Sequence, residues 1–383
     1  MDYDVVIVGG GPTGGIVGEA VAKNGYKVCI IEEHREIGKP LQCAGLVSKN
    51  LLKEFQFKKN IILNSFNGAN FSIGEKKLKI EAKENKAYVI DRPMLDREII
   101  TNSIRAGCDI FLGKRVEGIK KVSEGWEVFF GGKKIFGKVL VGADGVQSNV
   151  SLWSGLKRPK EIISCIQAHC IGKVDEINKV SIFVGKEIAP NFFSWLIPLN
   201  ENEALIGVGA NSNASYFLRK ILKNKLILSH ISSPKPISYF SGCIPIGFSE
   251  KTYGDRVLSV GDSAGQVKPL TGGGLYTGIV CARICGDTIT KFLSSNYSLH
   301  NYQKAWRKKI VKELSFGEKI RKVFISLGDE KLSEIITFLN DKDIKKIISI
   351  YGDIDAHFGL YKLLFKKFPK LVKFALPIIK SFL

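Results

Sequence analysis

Asp4-Val5-Val6-Ile7-Val8-Gly9-Gly10-Gly11-Pro12-Thr13-Gly14 decides how this chain is read. Residues 4–8 are a short apolar run rich in β-branched side chains, the composition of a strand buried on both faces of a parallel sheet. Gly9, Gly11 and Gly14 follow at once with G-x-G-x-x-G spacing. In that pattern the first glycine makes a tight turn, the second lets backbone approach a pyrophosphate, and the third lets helix and strand pack closely. Residues 15–24 then read as a helix whose N-terminus offers free N–H groups to phosphates. Residues 26–31 read as the next strand, ending at Glu32, where an acid binds a ribose hydroxyl pair. Strand, turn, helix, strand and acid in register predict a dinucleotide site.

Working outward, the chain has 383 residues, enough for two domains or one with a large insertion. Apolar residues make up 45% and charged ones 25%, which excludes a disordered chain. The net charge of +20 calls for an acidic partner, and residues 300–383 hold 18 basic against 9 acidic side chains. Eight cysteines occur without a C-x-x-C pair, in a chain too long to need a disulfide framework. No basic-then-apolar leader precedes Asp4, so a cytoplasmic protein with reduced thiols is expected. No uncharged apolar run approaches the length of a bilayer span.

Residues 47–56 read as helical, and 60–90 as strands that leave the nucleotide-binding part. A helix is expected from Asp91 to about Ala106. Strands follow at 109–112, 114–122, 126–130 and 135–141, with Gly131-Gly132 as a hairpin turn. The last ends in Gly142-Ala143-Asp144-Gly145. Residues 160–246 look β-rich, with strands at 162–174, 180–184, 192–198, 204–210 and 237–246. Residues 256–260 form a strand running into Gly261-Asp262, and Gly272-Gly273-Gly274 opens a helix over 275–293. Residues 300–383 are helical in pattern.

Four segments in this order resemble the FAD flavoproteins of the p-hydroxybenzoate hydroxylase type. They are residues 9–14 with Glu32, Asp91-Arg92, residues 142–145, and Gly261-Asp262. Within that group, Lys39-Pro40-Leu41-Gln42-Cys43-Ala44-Gly45 and residues 265–274 resemble the geranylgeranyl reductases, FAD enzymes that saturate isoprenoid chains, including archaeal enzymes acting on ether phospholipids. The resemblance covers about residues 1–295. It implies an α/β fold, with a Rossmann-like FAD-binding domain interleaved with a β-sheet-rich substrate domain, plus a helical C-terminal region. The boundaries expected are 1–58, 91–158 and 251–295 for FAD binding, 59–90 and 159–250 for substrate, and 296–383 for the helical part.

Carried over by position, FAD contacts fall on Gly9, Gly11, Thr13, Gly14 and Glu32, then on Cys43, Ala44 and Gly45. Arg92, Val116, Asp144, Asp262, Gly274 and Leu275 complete the set. Asp262 would accept from ribityl hydroxyls, and residues 272–274 would point a helix N-terminus at the flavin N1 and O2 edge. Cys43 is the candidate catalytic residue, as the source of the proton that must accompany a hydride onto an alkene, or as a wall of the pocket that delivers it. Phe193-Ser194-Trp195-Leu196-Ile197-Pro198 resembles the family's Y-x-W-x-F-P segment, with Phe193, Trp195 and Pro198 as substrate contacts.

Cys165, His169 and Cys170 supply three close donors and no fourth, so no metal is expected. Residues 360–383 carry Lys362, Lys366, Lys367, Lys370, Lys373 and Lys380, no acid and many large apolar side chains, broken by Pro369 and Pro377. That is the composition of a segment lying on an anionic membrane surface, and it argues against nucleic acid as the partner. The function expected is FAD-dependent reduction of C=C bonds in geranylgeranyl chains of ether lipids by a peripherally membrane-associated protein. Electrons would come from ferredoxin, NAD(P)H or a deazaflavin. The alternatives are a flavin monooxygenase or halogenase on the same fold, or a lipid-binding flavoprotein without catalysis.

Overall fold

Val5, Val6 and Ile7 are fully buried, as a strand with parallel neighbours on both sides requires. A computed structural model of the protein describes residues 2–54 and 59–368. The chain forms two compact units. Met1–Leu41, Arg92–Glu161 and Pro245–Leu314 make the first, and Gln42–Asp91, Ile162–Ile244 and Ser315–Leu383 the second.

In the first unit, β1 (Asp2–Val8) leads through the glycine turn into α1 (Pro12–Ala22) and on to β2 (Val28–Ile31). β1 is central, with β2 parallel on one side and Lys133–Gly142 parallel on the other. Asp109–Phe111 extends the sheet beyond β2, and Val257–Ser259 and Tyr253–Gly254 extend it beyond Lys133–Gly142. Gly125–Phe130 and Val116–Val122 add an antiparallel flap to the first half of Lys133–Gly142. α1 starts three residues before the expected position because Pro12 sits at its first turn, where the missing N–H costs nothing and φ is already helical. Gly15 and Gly18 weaken α1 locally. They let Ile99 and Ser103 of the Arg92–Arg105 helix approach to 2.6 and 2.7 Å of where a Cβ would stand.

The second unit is built on a seven-stranded sheet ordered Ile231–Ile246, Glu161–Val174, Glu203–Ala210, Ser194–Asn200, Lys179–Phe183, Gly68–Ile73, Lys76–Glu81. One face carries Ala168, Cys170, Phe183, Leu196 and Ile206 under helices Ala214–Ile221 and Lys225–Leu228. The other carries Trp195, Ile197, Leu205 and Val180, with Phe66, Val89 and Ala44 packed against them. A small sheet of Leu46–Ser48, Ala87–Ile90 and Ile62–Phe66 lies in the same unit. Helices Asp329–Leu339, Lys342–Tyr351 and Phe358–Lys367 follow.

Three local expectations change. Residues 47–56 are not one helix: Leu46–Ser48 is a strand because it pairs with Ala87–Ile90, and the helix among the described residues is Lys49–Glu54, with 55 and 56 outside them. Helices Ala214–Ile221 and Lys225–Leu228 interrupt the β-rich stretch. Strand Ile231–Ile246 starts six residues early, because Pro234 and Pro236 are tolerated on a sheet edge. Residues 42–58, grouped by sequence with the nucleotide-binding part, fall in the second unit from Gln42 onward.

Candidate functional site

In the first unit the glycine turn is held by its neighbours' backbones. Gly9 has φ +107°, and a Cβ there would stand 2.2 Å from the carbonyl oxygen of Ala143. Gly14 admits the carbonyl of Gly9 at 2.0 Å from its missing Cβ. The methyl of Thr13 fills the space beside Gly261 and Gly278, at 2.7 and 2.9 Å from their Cβ positions. Residues 9–14, 142–145, Gly261-Asp262 and the Leu275–Ser294 helix therefore meet in one place, although more than a hundred residues separate the first motif from the second and the second from Gly261.

Glu32 closes the other side. Its Oε2 accepts from Gly10 N at 2.7 Å, and its Oε1 accepts from His34 N at 2.9 Å and from His34 Nδ1 at 2.6 Å. Asp144 is used differently. Its carboxylate accepts from Ser148 Oγ at 2.5 Å and Val150 N at 3.0 Å, holding the Asn149–Trp153 helix, while burial pushes its pKa up. Only the backbone of residues 143–145 is then left to face a ligand. Val116 has its side chain in the core with Trp126 and Phe130, so its backbone alone could serve.

Asp262 follows the strand Val257–Ser259 and accepts no side-chain hydrogen bond from the described residues. Burial pushes it up to about 6, partly countered by the positive charge of Arg92. Arg92 itself holds Asp96 through Nη2 at 3.0 and 3.2 Å. Gly274 is the N-cap of the Leu275–Ser294 helix, whose first turn has no acidic residue. A Cβ on Gly274 would stand 3.0 Å from Asp262 Oδ1.

These residues fit FAD on three independent observations. Gly11 has φ −76°, and nothing lies within 4 Å of its Cβ position, so the fold itself does not require glycine there. α1 has neither a side-chain cap nor an acidic residue in its first turn, which leaves its N–H groups for a phosphate. Asp262 is a half-buried carboxylate with no side-chain hydrogen bond among the described residues, an acceptor that a ribityl hydroxyl suits.

Sequence reasoning missed Gln266. Fully buried, it accepts from Gly261 N at 2.8 Å through Oε1 and donates to Tyr302 Oη at 2.9 Å, and Tyr302 donates to the carbonyl of Ser259 at 3.0 Å. The Gly261-Asp262 turn is fixed by this chain. The segment 265–274 marked its location but not its role.

In the second unit Cys43 is exposed, and its Sγ accepts from Gly45 N at 3.4 Å. Gly45 has φ +75°, and its carbonyl accepts from Ile90 N. The backbone of Gln42 presses on Gly242, whose Cβ would stand 2.5 Å from the Gln42 carbonyl oxygen. Ala44 and Phe193 pack against the cluster containing Trp195. Trp195 donates Nε1–H to Gln167 Oε1 at 3.3 Å and lies edge-on to Phe193 at 6.0 Å. The strand register puts Pro198 opposite Ala204, on the Leu196 face, so it does not share a wall with Trp195. His169 is paired with Glu203 at 2.7 Å.

Residues 2–181 match the family described as an FAD binding domain. An uncharacterized protein of Methanocaldococcus jannaschii is 36% identical over 94% of this chain and 94% of its own length. The digeranylgeranylglycerophospholipid reductase of the same organism is 33% identical, over 86% of this chain and 88% of its own. The crystal structure of a geranylgeranyl bacteriochlorophyll reductase-like protein from Thermoplasma acidophilum superposes with a TM-score of 0.87 at 23% identity, covering 98% of this chain and 99% of that one. The chain belongs to the digeranylgeranylglycerophospholipid reductase family of FAD-binding proteins.

Proposed function

We propose that the protein is an FAD-dependent reductase of C=C bonds in the geranylgeranyl chains of membrane ether lipids. The observation that carries the reading is the convergence of Gly9, Thr13, Ala143 and Gly261 around an uncapped helix start, in a chain related to named lipid reductases. Once reduced, bound FAD supplies the hydride that adds to one alkene carbon. Residues 9–14 and Glu32 hold the pyrophosphate and the ribose, Asp262 holds the ribityl hydroxyls, and Arg92 supplies a positive charge near Asp262. Phe193 and Trp195 form an apolar wall for the prenyl chain, and the Cys43 thiol gives a proton to the second alkene carbon. The electron donor is ferredoxin, NAD(P)H or a deazaflavin.

The lipid is reached from an anionic membrane surface through the basic, apolar segment 360–383. Of that segment, Lys370, Lys373, Lys380, Pro369 and Pro377 lie outside the described residues. No helix among the described residues is long and apolar enough to cross a membrane.

The test is anaerobic. Protein with its flavin reduced is mixed with geranylgeranyl ether phospholipids, and the products are weighed by mass spectrometry. Each saturated bond adds two hydrogens. A hydroxylase or halogenase of the same fold would require oxygen, so unchanged lipid without oxygen and an oxygenated product with it would overturn the assignment.

A further inference from the structure

Lys268 is only 5% exposed, a rare state for a lysine. It lies in the Gln266–Thr271 stretch that brings the chain to the Gly272-Gly273-Gly274 turn. Its carbonyl accepts from Gly272 N at 2.9 Å and its N–H donates to the carbonyl of Gly273 at 3.2 Å, so Lys268 and the turn form one rigid piece. Its side chain folds back over that turn. A Cβ on Gly273 would stand 2.9 Å from Lys268 Cε and 3.0 Å from Nζ. Glycine at 273 therefore makes room for a buried ammonium group. On the other side of the same turn, the missing Cβ of Gly274 leaves room for Asp262 Oδ1. Thr271 adds a hydroxyl oxygen that is buried and has no hydrogen-bond partner among the described residues.

The turn thus presents a buried cation, an unused hydroxyl and the uncapped start of a twenty-residue helix, all within the FAD-binding unit. We propose that Lys268, with the Thr271 hydroxyl, stabilises FAD in its reduced, electron-rich form and so sets the potential at which the protein accepts electrons. The inference rests on the FAD reading above and deepens it. A charge held in a water-poor environment acts more strongly than one in solvent. It favours whichever redox state is more negative. Asp262, on the opposite side of the turn, acts in the contrary sense.

The readout is the midpoint potential of FAD in the holoenzyme, measured anaerobically against reference dyes, with no turnover involved. Lys268→Met is expected to lower the affinity for reduced relative to oxidised FAD about tenfold, which is about 30 mV for a two-electron couple. Lys268→Arg keeps the charge and should stay near wild type, and Thr271→Val should shift the ratio about threefold. If K268M does not retain flavin, Lys268→Gln keeps a polar side chain of similar reach and should show the same tenfold loss. A K268M or K268Q midpoint equal to wild type overturns the proposal, as does a K268R shift as large as that of K268M. A wild-type protein that cannot be loaded with FAD sinks the cofactor reading and this inference together. One that binds FAD, shows the Lys268 dependence and saturates no lipid sinks the substrate reading alone.

Discussion

Glu32 Oε2 accepts a hydrogen bond from the backbone N–H of Gly10 at 2.7 Å, across the turn that opens α1. The acid at the end of β2 therefore shapes the glycine turn as well as standing where a ribose would be bound. Oε1 already accepts twice from His34, but Oε2 accepts once and keeps a second lone-pair direction, so a ribose hydroxyl can be accepted there without breaking the contacts to Gly10 and His34. Glu32→Ala removes both functions. Hydrogen bonds to a charged group are each worth about 1.5–3 kcal/mol, so FAD affinity should fall roughly 50-fold or more. Glu32→Gln keeps one acceptor oxygen and should lose about tenfold. Titration of the apoprotein with FAD, followed by flavin fluorescence, measures both.

The three glycines of the fingerprint separate into structural and ligand-facing positions. Gly14→Ala forces a methyl to 2.0 Å from the Gly9 carbonyl oxygen, where neither backbone can yield, and should destabilise the apoprotein by about 3 kcal/mol. Gly11→Ala meets nothing within 4 Å and keeps an allowed φ, so the apoprotein should unfold within a few degrees of wild type. FAD binding should nonetheless be lost in both. Thermal melts of the two apoproteins beside FAD titrations test this, and a Gly11→Ala protein that binds FAD normally would remove the pyrophosphate from the glycine turn.

What was legible in the sequence was what local chemistry dictates. Residues 4–8, Gly9, Gly11 and Gly14 specify strand and turn by themselves, and Glu32 follows at a fixed distance. The tasks of Asp144 and Val116 were not legible. Which acceptor Asp144 satisfies depends on Ser148 and Val150 in the next helix, and whether Val116 offers a side chain depends on the flap packing of Trp126 and Phe130. Pro198 was read with Trp195 because motifs are written along the chain, whereas a strand puts residues three apart on opposite faces. Leu46–Ser48 became a strand only because Ala87–Ile90 lies beside it. Gln266 is the same case. Its side chain matters only because Gly261 and Tyr302 are brought to it from outside its own segment.

Asp262 gives the apoprotein a pH-dependent weakness. Its pKa is raised from the ordinary 3.8 to about 6, first by burial, against the pull of Arg92. Between roughly pH 4 and 6 the native chain keeps a proton that the unfolded chain has released, so this group's contribution to stability falls as pH rises through that window. Above it, the ionised carboxylate costs the fold about 2–3 kcal/mol. Asp262→Asn should therefore be more stable than wild type by up to that amount at pH 7.5, with the difference vanishing near pH 4. Urea denaturation of both apoproteins at the two pH values checks the sign. A gain that grew towards acid would mean that the carboxyl is stabilised as the anion.

The C-terminal segment calls for charge substitution, not deletion. Leu364 is 4% exposed and belongs to a cluster with Ile344 and Ile347, so removing 360–383 would uncover part of the fold as well as any membrane contact. Replacing Lys362, Lys366, Lys367, Lys370, Lys373 and Lys380 by glutamine leaves that packing alone. Each lysine near an anionic surface is worth about 1 kcal/mol. Cosedimentation with vesicles containing anionic lipid should fall at least tenfold, while binding to neutral vesicles changes little. Equal sedimentation of both proteins would rule the segment out as an electrostatic contact.

Cys43 is the remaining test, because its thiol has no structural task that serine could not perform. It is exposed, and its one hydrogen bond among the described residues is from Gly45 N, which a hydroxyl can also accept. The loop itself is fixed by Gly45 at φ +75° and by the Gln42 backbone against Gly242. Cys43→Ser should therefore leave the fold and the FAD stoichiometry unchanged. A hydroxyl is a far weaker acid than a thiol, and general acid catalysis follows acidity. If Cys43 Sγ delivers the proton that accompanies hydride addition, alkene saturation should fall at least severalfold, with the solvent deuterium isotope effect on turnover rising as proton delivery becomes limiting. Turnover equal to wild type, with an unchanged isotope effect, would take Cys43 out of the mechanism.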